Sequence, residues 1–259
     1  MTLGTCSKIP NLELVSKYGF KYAEIKLSDV AKMTDEELGE TINKLKELGL
    51  SVKTFNVFCS SSDFNLSYAA DEQAIREYSH RALSNAQKLG GEIIVVGSGK
   101  ARNIPEEYSF EEGREKFKRV LSIIADVAAE YNIKVALEPL NTNETNLINT
   151  LADASQLCKE INKPNLGFLA DLFHMYRSGE DASEVLKYKG EILHAHIAKR
   201  DETRGAPGIG DRQEDLIDFY DALKKIGYDG LICLEASSKN EFEDSLSAFS
   251  ALADHLKLR

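Results

Sequence analysis

At 259 residues with 42% apolar side chains, the chain is long enough for one large α/β domain with a sizeable core. Its 42 acidic and 32 basic residues leave a net charge of −10, which argues against a nucleic-acid partner, because such binding relies on Lys and Arg neutralising phosphates. Cys6, Cys59, Cys158 and Cys233 form no Cys-x-x-Cys pair, the first residues carry no secretory pattern, and no apolar run nears the roughly 20 residues of a membrane span, so a reduced, cytoplasmic, non-membrane protein is expected.

In chain order, LGTC (3–6) reads as a strand and precedes a helix at 10–19. YAEIKL (22–27) leads to a helix at 34–49, where Leu38, Ile42, Leu45 and Leu48 mark one buried face. Thr34 stands at its cap with Glu37 at the capping-box offset, and Gly49 stops it. SVKTFNVF (51–58) precedes a helix at 69–90, and EIIVVG (92–97) a helix at 106–132. The later half repeats the pattern: IKVALE (133–138) with a helix at 150–162, and LGFLAD (166–171) with one at 180–189. ILHAHI (192–197) is followed by a helix at 212–227, and LICLE (231–235) by one at 238–256. Strands alternating with helices imply parallel pairing through right-handed crossovers. Eight such units favour a closed (β/α)8 TIM barrel over an open doubly wound sheet. No Pro/Gly-rich linker divides the chain, so one domain is expected over residues 1–259.

The last four strands each stop at a polar residue: Glu138, Asp171, His196 and Glu235. Burying such a group unpaired is costly, and in a barrel the strand ends converge on the catalytic face. Three carboxylates and an imidazole suit a hard or borderline divalent cation. Asp171 could equally cap the next helix, and His174 follows it by three residues. Of the two histidines in ILHAHI, His196 is expected to face the site and His194 to turn away and pack among the helices. His80 and His255 are expected on solvent-facing helix surfaces. VGSGKA (96–101) fails as a phosphate-binding loop, since Ile94 and Ala101 stand where Gly and Ser or Thr are needed. Lys100, Lys199 and Arg200 could touch a phosphate but are expected to be solvated.

LEPLNTNE, ADLFHM, HAHIA…RGAPGIG and GYDGLICLE resemble the sugar isomerase/epimerase branch of the xylose-isomerase-like barrels, which includes the ketose 3-epimerases. The resemblance spans essentially the whole chain. It implies one divalent metal, often manganese, with magnesium, cobalt or zinc as alternatives, held by Glu138, Asp171, His196 and Glu235. It implies that Glu138 and Glu235 also serve as acid and base on opposite faces of a sugar. It places Glu144, His174 and Arg204 against the substrate. The interval from His196 to Arg204 is two residues longer than in typical ketose 3-epimerases, which leaves Arg200 as the other choice. Relatives of this kind are often homodimers or homotetramers.

The expected activity is therefore metal-dependent epimerisation or isomerisation of a ketose or keto-sugar, phosphorylated or not. A keto-polyol dehydratase on the same scaffold is the main alternative. An abasic-site nuclease of the same fold would use three zinc ions and many histidines, and this chain has five histidines in all. A non-catalytic scaffold that retains the barrel is the remaining alternative.

Overall fold

Short β-branched runs alternating with amphipathic segments can bury both faces of each strand only if the helices wrap the outside of a parallel sheet. The computed structural model, which describes residues 1–237 and 242–258, has that arrangement. Eight parallel strands close into a barrel in sequence order: β1 (Thr2–Cys6), β2 (Tyr22–Lys26), β3 (Ser51–Asn56), β4 (Ile93–Val96), β5 (Lys134–Leu137), β6 (Leu166–Asp171), β7 (Ile192–Ile197) and β8 (Leu231–Leu234). The seam is made by β1 on β8, with Thr2 opposite Leu231 and Thr5 opposite Leu234. Around it lie α1 (Leu12–Lys17), α2 (Leu27–Val30), α3 (Asp35–Leu48), α4 (Glu72–Lys88), α5 (Gly99–Arg102), α6 (Phe110–Glu130), α7 (Leu151–Ile161), α8 (Leu172–Arg177), α9 (Gln213–Lys225) and α10 (Phe242–His255). Among the described residues no helix is long and apolar enough to cross a membrane.

Cap chemistry sets several boundaries. Thr34 and Glu37 form a reciprocal capping box at the start of α3, and Gly49 closes it at φ 60°. The helices expected from 69 and 106 begin later, at Glu72 and Phe110, because Asp71 and Ser109 accept the first free N–H groups. The segment expected as a helix at 180–189 is instead a 3-10 helix, Ala182–Lys187. The strand expected to reach residue 58 stops at Asn56, where Val57 turns to φ 48°. Residues 238–241 of the last expected helix lie outside the described residues. Three short helices, α2, α5 and α8, follow their strands at the C-terminal rim and have no counterpart in the sequence reading.

Strand parity divides the core. Ile94, Val96, Val135, Leu137, Phe168 and Ala170 join the large apolar cluster shared with the helices. Ile93, Val95, Ala136 and Leu169 form a separate small cluster, on the parity that ends in Gly97, Glu138 and Asp171. Beside them on the flanking strands are buried polar groups, with Thr54 paired to Ile93 and His194 to Leu169, and with Glu24 and His196 also buried. A barrel usually fills this space with branched apolar side chains; here buried polar groups share it.

Candidate metal centre

The site is built at the strand ends. Glu138 follows β5 directly and stays in the ladder, its N–H donating to Val96 O at 3.1 Å. Glu235 does the same after β8, donating to Ile197 O at 3.0 Å. Asp171 ends β6 and divides its oxygens. Oδ1 caps α8, accepting from the N–H groups of Phe173 (2.7 Å) and His174 (3.2 Å), and Oδ2 faces the site. Asp171 thus caps α8 through one oxygen and turns the other toward the cluster. His196 turns Nδ1 toward the three carboxylates, 3.4 Å from Glu138, 3.9 Å from Asp171 and 3.2 Å from Glu235. One donor atom from each of the four residues lies within 4.8 Å of the others.

The buried Oε1 of Glu138 has no hydrogen-bond partner, so it keeps lone pairs free toward this centre. Three carboxylate oxygens and an imidazole nitrogen at such spacing fit a divalent cation. Burial and mutual charge shift these groups in different directions. Burial pushes the Glu138 carboxyl above its usual range, and the neighbouring Glu235 charge adds to the shift. At Glu235 burial acts in the same direction, but Arg204 and His196 outweigh it and lower the pKa. Burial would lower the pKa of His196, yet Glu24 and Glu235 hold it well above the ordinary value.

The structure brings Arg204, not Arg200, to this cluster. Its Nη2 contacts Asp171 Oδ2 at 2.9 Å and pairs with Glu235 Oε2, and its guanidinium lies over the Phe173 ring. Arg200 pairs with Asp215 at 3.4 Å and stacks on Tyr176. Lys199 pairs with Asp211 at 2.9 Å, and Lys100 is exposed. His174 is buried beside the cluster. Its Nδ1 accepts from the Asn141 backbone N–H at 3.1 Å, and Nε2, 3.8 Å from Asp171 Oδ2, has no hydrogen-bond partner. Glu144 stands at the rim, tied to Asn141 Nδ2 at 3.2 Å. A cavity of about 540 Å3 opens next to Glu235 and Arg204, with Cys6, Asn56, Lys8 and Lys26 among its lining.

Two corrections concern histidines. His194 does not pack among the helices. Residues two apart in a strand share a face, so His194 enters the barrel with His196, fully buried and 2.7 Å from Glu24. His80 is half-buried against Tyr131 rather than free in solvent.

The reading from sequence missed Glu24 and Asn56. Asn56 ends β3 and donates to Glu235 Oε1 at 3.0 Å. Glu24 sits in mid-β2 and binds both interior histidines. The one available signal was a carboxylate flanked by Tyr22, Ala23 and Ile25 within a strand.

A closed parallel barrel with a carboxylate–imidazole cluster at its C-terminal strand ends defines the class: an α/β barrel of the kind that places its chemistry on that face. Within that class, the chain belongs to the xylose isomerase-like TIM-barrel family, whose model matches residues 12–257. It is similar to the ketose 3-epimerase of Arthrobacter globiformis, with 29% identity over 230 residues, covering 88% of this chain and 77% of that protein. It is also similar to the 3-dehydro-D-guloside 4-epimerase of Escherichia coli, with 26% identity over 247 residues and 90% of each chain covered. The solved structure of an Escherichia coli 3-keto-D-glucoside 4-epimerase superposes over all of both chains with a TM-score of 0.83 at 22% identity, a likeness of fold.

Proposed function

We propose that the protein is a divalent-metal-dependent epimerase or isomerase of a ketose or related keto-sugar. The observation that carries this reading is the convergence of Glu138, Asp171, His196 and Glu235 within 4.8 Å at the catalytic end of the barrel. Similarity to sugar epimerases over most of the chain supports it. A carbon next to a ketone is weakly acidic, and its deprotonation needs charge stabilisation on the carbonyl oxygen. A bound cation supplies that Lewis-acid polarisation, and manganese is the ion we favour.

The chain's own residues do the rest. Glu138 and Glu235 enter from β5 and β8 and flank the site; Oε1 of Glu138 is free to take or return a proton at the reacting carbon, and Glu235 does so through Oε2 once a bound substrate displaces Arg204 from it. Asn56 fixes one oxygen of Glu235 and so orients the other. His174, its Nδ1 occupied by Asn141, presents Nε2 to a substrate hydroxyl. Arg204 and Glu144 complete the rim contacts.

The test is a panel of free and phosphorylated ketoses incubated with enzyme and manganese in deuterated water. Epimerisation places one deuterium on the inverted carbon without loss of water. A product lighter by one water with a conjugated chromophore would mean dehydration instead, and no exchange from any ketose by the manganese-loaded protein would overturn the reading.

A further inference from the structure

Beneath the candidate metal centre, β2 places a carboxylate that no step of the proposed reaction uses. Glu24 is fully buried. Its Oε1 accepts from His196 Nε2 at 2.9 Å, and its Oε2 from His194 Nε2 at 2.7 Å and from Thr54 Oγ1. Cys6 Sγ adds a weak contact at 3.6 Å. Opposite its bond to Glu24, His194 stands with Nδ1 3.0 Å from the Leu231 carbonyl oxygen, and its ring meets His196 edge-on, with centroids 4.8 Å apart. One carboxylate thus joins β2, β3 and β7 inside the barrel.

We infer that Glu24 is a positioning residue for the metal centre, a role that rests on the metal-dependent reading above. A buried imidazole can offer either ring nitrogen to a cation, by rotation or by change of tautomer. Tying Nε2–H of His196 to Glu24 removes that choice and leaves Nδ1 as the lone pair aimed at Glu138, Asp171 and Glu235. His194 braces the other oxygen of Glu24, so the carboxylate cannot swing away. Metal-binding histidines commonly depend on such an outer hydrogen bond, and its loss weakens affinity about 10–100-fold. Cys6 Sγ, Glu24 Oε1 and His196 Nε2 also lie close enough together to share an ion. The oxygens of Glu24 are already taken by imidazole N–H donors, so they serve as acceptors rather than as ligands of a second cation.

Glu24→Gln and Glu24→Leu test the role, the first keeping shape and the second filling the space with apolar atoms. Manganese affinity is measured by chelator competition, and the urea midpoint of the metal-free proteins is measured alongside. Both variants are expected to bind manganese about 10–100-fold more weakly; the metal-free midpoint should fall for Glu24→Leu, which leaves three buried donors unpaired, and less for Glu24→Gln, whose amide oxygen still accepts. In a His196→Ala background, adding Glu24→Gln should produce no further loss of affinity, because the effect passes through that imidazole. Parent-like affinity in either folded variant, or an additive further loss without His196, overturns the role. If neither variant folds, Glu24 is a folding determinant and the positioning role fails as well. Failure of the parent itself to bind a divalent ion would instead strike the functional reading beneath it.

Discussion

Gly97 shows how closely one side chain can be specified by another. A Cβ built at this position would collide with Oε2 of Glu138, so the carboxylate occupies the space a side chain would fill. Gly97→Ala should push Glu138 outward while leaving the barrel intact. We expect turnover to fall by about 10²-fold, the usual cost of misplacing a reacting group by about 1 Å, with little change in the urea midpoint. Full activity would mean that Glu138 need not stand where it does. Glu138→Gln and Glu235→Gln address the chemistry itself. An amide oxygen can still coordinate a cation but cannot carry the proton, so each variant should keep measurable metal and lose about 10²–10⁴-fold in turnover. A variant that keeps near-parent epimerisation with metal bound assigns its glutamate to coordination alone.

Among the elements, α3 was the most readable, because its signals are local: a capping box at Thr34, apolar residues on one face and a left-handed Gly49. Thr34→Ala should cost about 1 kcal/mol, measured by urea unfolding, and leave turnover unchanged. The short rim helices were not readable, because four to six residues cannot form a helix without tertiary support. In α5 that support is Arg102, whose buried guanidinium donates to the carbonyl oxygens of Val96, Glu138 and Ile148. Arg102→Met would leave the Glu138 carbonyl oxygen unpaired, while Val96 O and Ile148 O keep the N–H groups of Glu138 and Leu140, and should destabilise the protein by about 1–3 kcal/mol. The site was legible where a polar residue ended an apolar strand. It was illegible at Glu24, because nothing within YAEIKL says which parity faces inward, and at His194, which strand parity places beside His196.

The molecule as a whole packs Glu24, Glu138, Asp171 and Glu235 around two imidazoles, with Arg204, among the described residues, the one guanidinium paired to them. A cation bound at the cluster should therefore raise thermal stability, by roughly 2.7 kcal/mol at a free concentration a hundred times its dissociation constant; an unchanged melting temperature with manganese would count against binding. A second charge effect lies at the start of α7. Burial pushes the Glu180 carboxyl up to about 7, although it accepts the Leu151 N–H at the start of α7. Between its unfolded value of 4.5 and about 7, the folded protein holds a proton that the unfolded chain lacks, so stability falls as pH rises through that window. Glu180→Gln should flatten this part of the urea-midpoint profile, and an unaltered slope would show that Glu180 does not cause it. The seam between β1 and β8, reinforced by the amino terminus on Asp229 at 2.7 Å, also bears on how the protein comes into being. Asn56, Glu138, Asp171 and His196 all leave the ribosome before Glu235, and β8 is the strand that both shuts the cylinder and delivers that last carboxylate. A nascent chain lacking β8 exposes two unpaired strand edges and an incomplete centre, so catalytic competence should arrive together with closure rather than accumulate during synthesis.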